Sequence, residues 1–350
     1  MSIGINGGAQ CTGGDHFVVC PSFDTIFVIQ TWFEPHYLAA ISLSSGGLKW
    51  RVDLGQTMVH SNPAATADVV AFSTGVGVPE EISAFDAKTG RAAWKVLTKS
   101  FFDTSLGALI IGESALPRGL IGIDGKTGMV TWRGGDWSYF YAGFGQSLLT
   151  EDGVLDAHSG RTLKRWPKGW EVRSGAFGGR FVTVGTEGSE DDPSTVAAYS
   201  LPEYKLLWIR NGLRQYTVTG LAADADQIFS AAYRKPDVVF HPGEVRLEML
   251  SATSGKTLWT KAIDSAELFP AAVGLAEGVA VFATGESPDL RTVRGFNAAT
   301  GELKWTVRTD KKIGEVVCPN VTCYIDAPTG EILAINASSG AQRWYRIPTQ

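Results

Sequence analysis

From residue 293 to residue 298 the chain alternates in character, with Val293, Gly295 and Asn297 set against Arg294, Phe296 and Ala298. It then breaks at Ala299, Thr300 and Gly301, before a second short run that carries Trp305. Period-two alternation on either side of a Thr-Gly pair reads as strand, tight turn, strand. Gly301 supplies the positive φ that such a turn needs, and Asn297 and Thr300 are short polar side chains able to bond the turn backbone.

The same pattern recurs as SLSSGGLKW ending at Trp50, FDAKTGRAAW at Trp94, IDGKTGMVTW at Trp132 and LDAHSGRTLKRW at Trp166. It returns as YSLPEYKLLW at Trp208, LSATSGKTLW at Trp259, FNAATGELKW at Trp305 and INASSGAQRW at Trp344. Eight copies whose tryptophans lie 34 to 51 residues apart define a period typical of propellers and solenoids. Each indole buries roughly 150–250 Å², worth about 4–6 kcal/mol as an upper estimate at roughly 25 cal/mol per Å². A single repeat has no place to bury such a ring, so the tryptophans are expected to pin one repeat against the next.

The Ala-x-Asp-x-x-Thr-Gly-x-x-x-Trp pattern, present as AFDAKTGRAAW and GFNAATGELKW, resembles the tryptophan-docking motif of the quinoprotein-like (PQQ-like repeat) family. That family of eight-bladed propellers includes quinoprotein dehydrogenases and the outer-membrane assembly factor BamB. The resemblance spans nearly the whole chain and implies an all-β fold, an eight-bladed β-propeller of four-stranded antiparallel blades. Expected blades are 15–54, 58–98, 101–135, 137–168, 170–211, 214–263, 267–309 and 313–350, together one domain over 1–350. Residues 1 to 12 are available as an extra edge strand. Two turns depart from the pattern: five residues, instead of three, lie between Gly160 and Trp166, and Glu203 and Tyr204 replace the Thr-Gly pair in blade 5.

Composition narrows the function. Apolar content of 44%, 41 glycines and 15 prolines suit many short strands and tight turns. A net charge of −5 without a Lys/Arg block argues against nucleic acid as a partner. No apolar run is long enough to span a membrane, and residues 1 to 14 lack the regions of a signal peptide; the chain reads as a soluble monomer or as a mature fragment. Four cysteines stand at the two ends, Cys11, Cys20, Cys318 and Cys323. Cys318 and Cys323 bracket a short hairpin, which favours Cys318–Cys323 and Cys11–Cys20 bridges and an oxidising, periplasmic or secreted setting. Free thiols, with a cytoplasmic setting, and a metal site are the alternatives.

Loop lengths separate the two faces expected of a propeller. Connections between second and third strands are long and varied (30–37, 74–81, 113–119, 186–194, 234–245 and 285–292), whereas the motif turns are short. Binding chemistry is carried by loops on rigid scaffolds, so function is expected on the long-loop face. Candidate ligand-binding residues there are Trp32, Trp137, Tyr141, Trp170, Arg173, Arg214, Tyr216, His241 and Glu315, an aromatic and mixed-charge set suited to a small molecule or an extended peptide. His60, Asp103, Glu171 and Tyr139 are acid/base candidates, because an imidazole titrates near neutral pH and a carboxylate can hold its tautomer.

Quinoprotein dehydrogenases use an adjacent cysteine pair, a calcium ion held by Glu, Asn and Asp, and long insertions. The chain has no Cys-Cys pair and is short, so no pyrroloquinoline quinone and no other cofactor is expected. The acidic loop Glu187 to Asp192 matches no EF-hand spacing and reads as a solvated hairpin tip rather than a calcium site. The resulting expectation is a non-catalytic binding or assembly propeller recognising a protein segment or small ligand. A cofactor-independent enzyme with an acid/base site at the channel mouth, and the sensor domain of a receptor, are the alternatives.

Overall fold

The computed structural model describes residues 12–13, 17–30, 36–55, 57–59, 63–75, 81–97, 100–115, 118–134, 140–188, 192–234, 243–265, 272–287, 290–309, 316–326 and 331–346. The fold is all-β, an eight-bladed β-propeller built from eight antiparallel sheets, six of four strands and two of five among the described residues. Among the described residues the helical content is a single 3-10 turn at Pro21–Phe23. Numbered in chain order, the blades cover 12–55, 58–97, 100–133, 140–165, 172–214, 216–265, 272–309 and 316–346. The fifth strand of blade 1 is Thr12–Gly13, which pairs antiparallel with Phe17–Cys20.

Two compact units are distinguished. Of the described residues, one unit contains those within 12–165, 331–332 and 344–346, and the other those within 166–326 and 333–343. Each has its own apolar interior. In the first, Phe27, Leu38, Val70 and Phe72 are fully buried between blades 1 and 2. In the second, Phe229, Leu247, Met249 and Phe282 occupy the space between blades 6 and 7. The period-two pattern explains this layering: alternate residues of each strand face opposite neighbours, and both faces are apolar because both are covered.

The motif tryptophans fasten sheet to sheet through a directed hydrogen bond as well as through area. In the first unit the indole nitrogens of Trp50, Trp94 and Trp132 donate to the carbonyls of Ala87, Gly125 and Ala157 at 3.2, 2.8 and 2.6 Å. Trp344 likewise donates to Leu43 at 3.0 Å. In the second unit Trp208, Trp259 and Trp305 donate to Ala252, Ala298 and Ala337 at 2.8, 2.7 and 2.9 Å. The acceptor always lies at the start of the next blade's motif turn. Its geometry is fixed in turn by the backbone, as where the Ala298 amide donates to the Gly278 carbonyl.

The turn glycine is therefore needed twice. Gly301 has φ +71°, and a Cβ placed on it would lie 2.7 Å from the Trp259 ring. Asn297 Oδ1 stabilises the same turn by accepting from the amides of Ala299 and Thr300 at 2.9 and 3.1 Å. Blade 5 keeps the turn without glycine: Tyr204 adopts φ 53°, and its amide still bonds the Ser200 carbonyl at 2.9 Å. The ring of Trp166 meets Tyr199 there, with centroids 5.2 Å apart.

Cys318 and Cys323 form a disulfide with Cα atoms 4.1 Å apart, as their hairpin spacing implied. Cys20 is also disulfide-bonded; Cys11 lies outside the described residues.

Candidate ligand-binding site

Blades 5 and 6 carry the best-defined polar constellation among the described residues, and it lies at their long-loop ends. Blade 5 consists of Val172–Phe177, Phe181–Thr186, Pro193–Ser200 and Leu206–Arg214. Blade 6 consists of Tyr216–Ala223, Gln227–Arg234, Gly243–Ser251 and Thr257–Ser265. Gln215 alone links the two, at φ 63°. This tight link sets Tyr216 directly beside the end of the blade 5 sheet.

Arg173 on the first strand of blade 5 bonds both Glu171 and Glu187; its guanidinium lies 2.9 Å from the Glu187 carboxylate. Glu187 is thus tethered, and the Gly188 amide donates to the Tyr216 carbonyl at 2.7 Å. An isolated antiparallel bridge between Glu187 and Thr217 completes the seam. The start of the acidic loop is part of a structured blade-to-blade contact. Residues 189–191 lie outside the described residues.

Tyr216 is buried and donates to the Glu244 carboxylate, and burial, reinforced by that bond and charge, pushes its hydroxyl up to about 12. At neutral pH it is a neutral donor rather than a base.

Beside Tyr216 a cavity of about 230 Å³ opens between the two blades, with Ser194, Arg210, Ser230, Arg246 and Glu248 in its walls. Arg210 Nη2 and Arg246 Nε both donate to the same carboxylate oxygen of Glu248, each at 2.9 Å. Arg210 also reaches the Thr257 hydroxyl. Its Nε is buried and has no hydrogen-bond partner among the described residues. The outer edge of blade 5, Leu206–Arg214, is the terminal strand of its sheet. It exposes Leu206, Leu207 and Ile209 at 50%, 49% and 48% and runs directly into the cavity wall at Arg210.

Several residues anticipated from sequence meet here. Glu171, Arg173 and Tyr216 belong to the seam, Trp170 is half-buried next to it, and Arg214 is the exposed last residue of the blade 5 edge strand. Asp103 and Tyr141 lie in Ser100–Leu106 and Phe140–Phe144 of the other unit, with their side chains outside the described ones. His60, Trp32, Trp137, Tyr139, His241 and Glu315 fall outside the described residues. Arg210, Arg246 and Glu248 are not distinguished by strand alternation, which does not tell a charge facing water from one facing the next blade. Comparison of the repeats marks out Arg210, which stands two residues after Trp208, where Val52, Val96 and Val307 follow Trp50, Trp94 and Trp305.

The cavity does not suit a divalent cation, since its one carboxylate is already shared by two guanidinium groups that repel added positive charge. Among the described residues no group of three or more His, Cys, Asp or Glu is placed to hold a metal. A volume of about 230 Å³ is also below the roughly 300–1,000 Å³ of pockets that take a cofactor-sized molecule. No helix among the described residues is long and apolar enough to cross a membrane.

Comparison with known proteins agrees with the fold. BamB from Moraxella catarrhalis superposes with a TM-score of 0.63 at 13% identity over 89% of this chain and 93% of that one. The computationally designed Ika8 protein gives 0.68 at 14% identity over 96% and 100%. Sqt1 from Saccharomyces cerevisiae gives 0.64 at 10% over 96% and 99%. At such identities the likeness is one of architecture, and a designed protein among the matches shows that the scaffold is not tied to an activity. No curated protein matches the sequence. The family model described as outer membrane protein assembly factor BamB matches residues 12–135 and 192–349, more than half of the chain. The chain belongs to the family of the outer membrane protein assembly factor BamB.

Proposed function

We propose that this chain is a non-catalytic binding or assembly propeller that recognises an extended protein segment at blades 5 and 6. The observation that carries the reading is the Leu206–Arg214 strand. It is a terminal strand nine residues long with three exposed large apolar side chains, and it leads into a polar cavity. Terminal strands present unpaired backbone donors and acceptors to a partner strand, while neighbouring pockets select its side chains. Tyr216, held neutral by burial and Glu244, fits a hydrogen-bonding role better than proton transfer. The family's assembly factor supports a protein partner. The Cys318–Cys323 bridge supports an oxidising, extracytoplasmic setting.

The reading is tested by selecting displayed random peptides on the intact protein and on a Leu207→Asp/Ile209→Asp variant. Both side chains are half-exposed, so the variant is expected to fold. Enrichment on the wild type and its loss on the variant support the reading; equal enrichment on both, or none, refutes it.

A further inference from the structure

We propose that the cavity between blades 5 and 6 is a carboxylate-binding site, and that it takes an acidic side chain of the segment paired along Leu206–Arg214; this second clause rests on the function proposed above. The charge balance points to an anion. Arg234 and Glu244, the further charges acting on Tyr216 in the cavity wall, offset each other, which leaves Arg210 and Arg246 as two positive charges against the single negative charge of Glu248, and both bonds fall on one oxygen of that carboxylate. The groups are partly withdrawn from water, with side-chain exposures of 22%, 31% and 10% for Arg210, Arg246 and Glu248. The surplus charge is therefore screened less than at an open surface.

Arg210 also holds an unsatisfied donor: its Nε is buried without a hydrogen-bond partner among the described residues. A buried guanidinium N–H left unbonded is costly, and a turn of the guanidinium that brings it onto an incoming carboxylate oxygen removes that cost. Ser230, 2% exposed, and Ser194 line the same space with hydroxyl groups.

Charge matching also selects among anions. A phosphate monoester carries about −1.5 to −2 at pH 7, which would leave net negative charge beside Glu248, whereas a carboxylate cancels the surplus of one. Size agrees, because about 230 Å³ suits a side chain more than a whole ligand. Arg210, Asn211 and Gly212 belong both to the edge strand and to the cavity wall. A segment paired on that edge thus carries its side chains past the opening.

The test uses the intact protein labelled with nitrogen-15 in arginine. The Nε–H resonances are followed during titration with N-acetylglutamate amide, inorganic phosphate and chloride at constant ionic strength. The Arg210 and Arg246 signals are assigned by their loss in Arg210→Lys and Arg246→Lys. Saturable shifts of both with the glutamate derivative, at least about tenfold tighter than with phosphate or chloride, are expected.

Glu248→Gln raises the surplus charge and should tighten carboxylate binding by about tenfold or more, whereas Arg246→Met should weaken it by a similar factor, the weight of one charge-assisted hydrogen bond. If Glu248→Gln does not fold, the Arg246→Met comparison decides. Shifts equal in all three titrations, or an affinity insensitive to Glu248 and Arg246, overturn the site. Tighter binding of phosphate than of the glutamate derivative overturns the carboxylate assignment. Binding of the free derivative with no acidic residue enriched among selected peptides leaves the carboxylate site standing and overturns its link to a protein segment.

Discussion

The indole nitrogen of Trp259 donates to the carbonyl of Ala298 at 2.7 Å, while the same ring lies over Gly301 so closely that a Cβ there would sit 2.7 Å away. One side chain thus reads both the backbone direction and the missing side chain of the next blade's turn. Trp259→Ala removes the ring and leaves the Ala298 carbonyl without its donor, so a loss of about 3–5 kcal/mol is expected. Thermal unfolding followed by circular dichroism measures it.

Gly278 offers an internal control for the turn. It has φ +70° with nothing within 4 Å of an added Cβ, whereas Gly301 has φ +71° and the Trp259 ring. Gly278→Ala should cost about 1–2 kcal/mol, the left-handed backbone penalty alone. Gly301→Ala should cost clearly more. In a Trp259→Ala background the excess should vanish; persistence of the excess there would show that contact with the ring is not its cause.

The recurring turn also titrates. Asp86, Asp124 and Asp156 are held below the usual carboxylate range, chiefly by side-chain hydrogen bonds from Thr89, Thr127 and Ser159 and further by backbone amides. A depressed folded-state value means that the contribution to stability is present above the unfolded value of about 3.9. It is lost as pH falls through the lower folded value. Stability should therefore decline below about pH 4. Asn297 and Asn336 occupy the same turn position and accept the same amide bonds without titrating. Asp86→Asn should fold well and flatten part of the acid limb of a stability-versus-pH curve.

The Cys318–Cys323 bridge spans a sequence separation of five, and a loop that short stabilises by about 2 kcal/mol on chain-entropy grounds. Cys318→Ser/Cys323→Ser should lose roughly that amount. Thiol titration of the denatured, unreduced protein should find no free thiol.

The architecture was legible in the sequence because every repeat carries its own turn and its own tryptophan at short spacing, with three residues between Gly301 and Trp305, even though each ring docks on the turn of the next repeat, as Trp259 does on Gly301. Repetition then makes the pattern visible eight times. Seam residues such as Arg173 and Tyr216 were legible as polar or aromatic residues at strand starts, but their partners were not. Glu187 and Glu244 reach them across strand pairing, which sequence distance conceals. The cavity was harder still. Arg210 and Glu248 are 38 positions apart and face each other only because two sheets stack. A charge at a strand position looks the same in sequence whether it faces water or a neighbouring blade.

Binding of an extended protein segment at the blade 5 edge and its adjoining cavity is decided by selecting displayed peptides on the intact protein and on the Leu207→Asp/Ile209→Asp variant. Enriched peptides should alternate apolar residues, carry an acidic residue, and bind the wild type but not the variant. Equal binding to both proteins, or no enrichment at all, would contradict it.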